Sequence, residues 1–156
     1  MFAEQTPAGR EATKILARAD ALMNRLENSE VDSPKSGYAV NAYGYYYKTA
    51  TFEKMLALVE EAEALSHLDG ACAYSRAGFH QWAGNFERSA ELYAQVVESW
   101  PQYAQSARTM LATALGRLGR LAEAQRVIDE HNRVLAENPM PGMPLLDFRR
   151  IGISTA

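Results

Sequence analysis

The sequence predicts an all-α protein built from stacked helical hairpins. Three observations carry that prediction. Apolar residues recur at three- and four-residue steps over nearly the whole chain, the spacing that lines one face of a helix. No run of alternating β-branched residues competes with it. A block of 34–35 residues recurs along the second half of the chain, as in architectures that stack one supersecondary unit on the next. The chain has 156 residues, a length suited to one domain that buries roughly two-thirds of its unfolded surface without disulfide or metal staples.

The elements follow from the breakers. Thr6–Pro7 and Ser33–Pro34 each read as a hydroxyl cap followed by proline at the first helical position, where the missing N–H costs nothing. Thr51, Asp69 and Asn85 are further caps, and Pro101 and Asn138–Pro139 end helices. Seven helices result, over 7–28, 34–48, 52–68, 70–83, 86–99, 102–118 and 121–137. The first carries Ile15, Ala19, Leu22 and Leu26 on one stripe and reads as a capping helix. Residues 29–33 are a polar linker, and the remaining six helices pair through short links into antiparallel hairpins. The tail, 139–156, has Pro139, Pro141 and Pro144 among its first six residues and leaves the helical pattern.

The repeat appears when 71–101 is laid on 106–134. Gly84-Asn85-Phe86 then meets Gly119-Arg120-Leu121, Ala77 meets Ala112, Ser89 meets Ala124 and Tyr93 meets Ile128. A step of 34 back from Phe86 reaches Phe52, with Tyr43 at the site of Ala77 and Val59 at that of Tyr93. Small residues let helix backbones approach, Gly84 and Gly119 suit a turn with positive φ, and bulky residues plug the seams.

This pattern resembles the tetratricopeptide repeat. Ala77, Gly84, Phe86, Ser89, Tyr93 and Pro101 supply its residues in the unit 70–103. Ala112, Gly119, Ala124 and Ile128 do so in 105–138, and the unit 36–69 is the most divergent, with Tyr43 at the small site and Ala50 for the turn glycine. The resemblance implies one domain over 1–138, an α-α superhelix of about three hairpins with a capping helix. It implies a concave groove, lined by the first helix of each hairpin, that binds a peptide segment of another protein. Carried over position by position, that groove presents Tyr47, Lys48, Tyr74, Gln81, Trp82, Thr109, Thr113 and Arg117. Tyr47, Tyr74 and Trp82 would anchor the peptide, and Lys48 and Arg117 would favour acidic residues. Gly116 also falls on this surface. Val40 and Gly44 stand where the family's co-chaperones place carboxylate-clamp residues, so a heat-shock chaperone tail is not the expected ligand. Length and repeat number also resemble the small secretion chaperones of bacterial injection systems.

Chemistry is sparse. His67, His80 and His131 each stand alone, and Cys72 has no second cysteine, whereas metal and catalytic sites need several converging groups. No metal, cofactor or catalytic residue is expected, and the chain reads as a non-enzymatic adaptor or chaperone-like module. Five tyrosines, Tyr38, Tyr43, Tyr45, Tyr46 and Tyr47, would fan around the helix 34–48, leaving one or two on the surface. Glu60, Glu61 and Glu63 form an acidic patch that an inhibitor or immunity-type protein could turn toward a folded enzyme. A net charge of −3 argues against a nucleic-acid partner. The single cysteine suggests a reducing, cytoplasmic setting. No apolar stretch reaches eighteen residues, so no membrane insertion is expected. A homodimer through the tail or the tyrosine-rich helix remains an option, as does a tail that straps over the groove.

Overall fold

A computed structural model describes residues 5–27 and 36–154. The protein is mostly helical, with six α-helices and one two-stranded sheet among the described residues. The all-α class is therefore as the sequence predicts. The chain forms two compact units, Met1–Asn85 and Phe86–Ala156.

In the first unit, α1 (Pro7–Glu27) starts where Thr6 Oγ1 accepts the Gly9 N–H at 2.9 Å. Its expected stripe faces inward: Ile15, Ala19 and Leu26 are buried and Leu22 partly so. The stripe packs along α2 (Thr49–Leu65). Phe52, Met55, Val59 and Ala62 of α2 join it, with Cys72, Phe79 and Trp82 from α3 (Ala71–Trp82). Arg76 of α3 holds Glu63 of α2 through two hydrogen bonds of 2.8 and 3.2 Å.

Over the described residues 36–48, the helix expected for 34–48 is not formed. Tyr38–Val40 (β1) and Tyr46–Lys48 (β2) pair antiparallel, with Ala39 opposite Tyr47. The reason is local chemistry. Gly37 and Gly44 adopt φ of +82° and +85°, conformations open to glycine and foreign to a right-handed helix. Asn41 Oδ1 accepts the N–H groups of Tyr43 and Tyr45, both at 2.9 Å, and so shapes the connection. Tyrosine suits a pleated, half-buried surface: β2 turns Tyr47 inward, while Tyr43 and Tyr45, in the connection, stand exposed at the tip. The unit 36–69 consequently lacks the first helix of a hairpin. The Ser33–Pro34 cap lies outside the described residues. Thr51 sits inside α2, not before it. Asp69 does not cap α3 either; it adopts a left-handed conformation (φ 55°), and Gly70 precedes the helix at φ 101°.

The second unit contains α4 (Phe86–Ser99), a 3₁₀ turn at Pro101–Tyr103, α5 (Ala104–Arg117) and α6 (Leu121–Glu137). Helix α5 packs against both α4 and α6. Gly119 makes the α5–α6 turn at φ +78°, as its place in the repeat requires. Ser89, Ala112 and Ala124 are fully buried, and Tyr93 and Ile128 nearly so. The tail folds back on this unit: Leu146 is buried against Ala112 and Ile128, flanked by Phe148 and Ile151.

Candidate functional site

The eight residues expected along a concave groove meet different fates. Tyr47 lies on β2, not on a helix, and is buried. Its ring centroid stands 5.0 Å from that of Trp82 and 5.7 Å from that of Phe52, and burial pushes its phenol above the usual value. Trp82 is buried as well, and so is Gln81. These three belong to the core, so Tyr47 and Trp82 are not free to anchor a peptide. The physical reason is the β-hairpin, which turns Tyr47 inward over the end of α3 and hydrogen-bonds there through the Ala42 N–H to the Trp82 carbonyl at 3.0 Å. Lys48 is exposed at the end of β2, and Tyr74 is half-buried on α3.

In the second unit, Thr109 and Thr113 are half-buried, and their hydroxyls bond back to the carbonyls of Gln105 and Thr109 at 3.2 and 2.9 Å. Arg117 is exposed, its guanidinium 4.8 Å over the ring of Phe86. Gly116 is not open: a Cβ placed there would meet Ile153 Cγ1 at 2.5 Å, because the tail lies across it.

A groove of about 620 Å³ lies elsewhere, on the second unit. Helix α4 contributes Glu87, Ala90, Glu91, Ala94 and Val97, five positions on one face; α5 adds Arg108, Leu111 and Leu115. Helix α6 and the residue before it add Arg120, Glu123, Arg126, Val127 and Glu130. The floor is apolar, from Ala90, Ala94, Val97, Leu111, Leu115 and Val127, and the rims carry charges of both signs. Arg120 is hydrogen-bonded to Glu123 and reaches Glu87 at 3.4 Å, linking α6 to α4 at one end. These contacts hold the Glu123 carboxyl below its usual range, and Arg133 does the same for Glu130. Glu123 and Glu130 therefore stay ionised at neutral pH.

The repeat register missed this groove because it assigns the inner surface to first helices, while α4 and α6 are second helices. A signal was present nonetheless. On α4, Ala90, Ala94 and Val97 widen the apolar face beyond the stripe of Ser89, Tyr93 and Val96 that the core uses. A second, smaller hollow of about 200 Å³ lies beside the hairpin tip, lined by Asn41, Tyr43, Tyr45 and Trp82.

Two of the histidines have polar neighbours outside the groove. His67 lies 3.8 Å from Glu63, and His80 pairs with the Asn85 amide at 3.2 Å. Glu63 is tied to Arg76, which leaves Glu60 and Glu61 as the exposed part of the acidic patch. No three His, Cys, Asp or Glu side chains converge as a metal site would need, among the described residues. Cys72 is fully buried, and burial with the nearby Glu63 carboxylate pushes its thiol up to about 11. At pH 8 its thiolate is then scarce, and iodoacetamide is expected to alkylate native protein about 100-fold or more slowly than an exposed thiol. Mass spectrometry of a timed reaction checks this, and labelling at the unfolded-state rate would contradict it. No described helix is long and apolar enough to cross a membrane. Comparison of the chain with protein-family models, curated proteins and solved structures found no match.

Proposed function

We propose that the protein is a non-enzymatic protein–protein interaction module that binds an amphipathic helical segment of a partner in the α4–α5–α6 groove. The observation that carries this reading is an apolar floor bounded by rims of fixed charge. Helices dock in such grooves through apolar anchors at three- and four-residue steps. The α4 rim offers Glu87 and Glu91, so the bound helix turns basic residues toward α4. Arg108 and Arg126 receive its acidic ones. Four glutamates against three arginines make a poor track for a nucleic-acid backbone, which favours a protein ligand. The buried small residues Ala112 and Ala124, the Gly119 turn and the plug at Ile128 support a tetratricopeptide-type hairpin for α5–α6, and with it an adaptor or chaperone-like role in the cytoplasm.

An exposed floor residue supplies the test. Helical peptides selected from a display library against the native protein are expected to bind with about micromolar affinity, near −8 kcal/mol. Ala94→Arg fills the floor with a long cation and is expected to weaken them at least about tenfold while the far-UV spectrum stays that of the native protein. Selected peptides that bind Ala94→Arg as well as the parent would place the interaction elsewhere.

A further inference from the structure

The tail, residues 139–154, forms neither helix nor strand, yet its backbone is recognised by side chains of α6. Asn132 takes both polar groups of one residue: its Oδ1 accepts the Leu146 N–H at 2.7 Å and its Nδ2 donates to the Leu146 carbonyl at 2.9 Å. One turn position earlier, His131 Nε2 donates to the Pro144 carbonyl at 3.1 Å. Contacts of this kind read an extended main chain and are indifferent to its side chains. Side-chain selection is added by three features. Leu146 is buried on Ala112 and Ile128 while its neighbour Leu145 points out and is 62% exposed. Phe148 and Ile151 pack at the edge of the same cluster. Ile153 occupies the notch over Gly116, where a residue with a Cβ would collide with it.

Two further facts distinguish this from an ordinary chain terminus. Residues 138–142, which join α6 to the docked segment, are all exposed and lie outside the helix, so the segment can leave without unwinding α6. His131 is fully buried, and its Nδ1 has no hydrogen-bond partner among the described residues. The imidazole that holds the segment through Nε2 thus carries a second, unpartnered nitrogen.

We propose that Asn132, His131, the Ala112–Ile128 pocket and the Gly116 notch form a binding site for a peptide with spaced apolar side chains, extended where Asn132 and His131 read its main chain and closed by a turn, as at Phe148–Gly152, that delivers its last apolar side chain to the notch. In the isolated protein the C-terminal segment fills this site, and a partner segment of the same chemistry displaces it. The site uses Ile128, His131 and Asn132 of α6 and the groove uses Glu123, Arg126 and Glu130, with Val127 bordering both; the proposal does not rest on the function proposed for that groove. A tether of a few residues holds the tail at an effective concentration of about millimolar, so a free peptide must compete with it.

The test uses the full chain and a fluorescein-labelled peptide copying residues 143–154, followed by anisotropy. The native protein is expected to bind it weakly. Chains carrying Leu146→Asp, or the milder pair Leu146→Ala and Ile153→Ala, should bind it at least about tenfold more tightly, because the internal competitor is weakened. Adding Asn132→Ala should remove that gain. Gly116→Val should also remove it, and a peptide with Ile153→Gly should recover binding to the Gly116→Val chain, a rescue that general destabilisation does not produce. Ala94→Arg should leave peptide binding unchanged. The proposal is overturned if both tail variants keep native helicity and fail to bind the peptide. It is overturned equally if Asn132→Ala has no effect, or if Ala94→Arg abolishes binding and so moves the peptide to the other groove.

Discussion

Trp82→Ala is expected to remove about 3–5 kcal/mol of folding stability, the range for deleting a large aromatic side chain from a core. Trp82 is 6% exposed, sits in the core of the first unit with Phe79 and Ala83, and meets the Tyr47 ring at 5.0 Å. Its carbonyl also receives the Ala42 N–H from the hairpin connection. The substitution therefore empties space between the hairpin and the end of α3, and Tyr47 loses a face of its packing. Urea unfolding followed by far-UV circular dichroism measures the loss. Trp82→Phe keeps a ring in place and should cost well under half as much. A loss below about 1 kcal/mol for Trp82→Ala would mean that the residue is not packed as described. The same substitution separates core from binding surface, because a peptide-anchoring Trp82 would change affinity while leaving stability nearly intact.

Tyr93→Ala should be comparably severe in the second unit, again about 3–5 kcal/mol. Tyr93 is among the largest side chains that are fully buried, at 1% exposure. It faces away from the groove: the groove uses Glu87, Ala90, Glu91, Ala94 and Val97 of α4, and the core uses Ser89, Tyr93 and Val96. Tyr93→Ala and Ala94→Arg are neighbours in sequence with opposite expected outcomes, loss of stability for the first and loss of binding for the second. Equilibrium unfolding of both variants checks the contrast, and equal destabilisation would refute the assignment of faces on α4.

Most aligned positions of the two units 70–103 and 105–138 are packing positions, whereas Leu121, opposite Phe86, is 37% exposed and Tyr43, opposite Ala77, is 71% exposed. Ser89 and Ala124 are both fully buried, as are Ala77 and Ala112, and Tyr93 and Ile128 are 1% and 2% exposed. Periodicity located α1, α4 and α6 to within a residue of their observed ends, because each has an amphipathic stripe and a clear start or stop. It failed over 36–48, where the unit had the weakest match. There, Gly37, Asn41 and Gly44 are turn signals, and they override a weak helical register.

The candidate site was legible only in part. Arg117, Lys48 and the half-buried Tyr74 lie near surfaces, but Tyr47, Gln81 and Trp82 are core, and Gly116 is covered. A helix face that looks vacant in one segment is filled by whatever the rest of the chain brings to it.

The amino-acid sequence by itself determined that this chain is helical, where most helices begin and end, and which small and bulky positions go inside. Those properties depend on neighbours three or four residues apart, within reach of one helical turn. Tertiary structure alone decided that Tyr47 and Trp82 pack against each other, that Ile153 closes over Gly116, and that α4 and α6 leave a groove between them. Each of these joins residues more than thirty positions apart, and exposure there is set by which distant surface arrives first to exclude water.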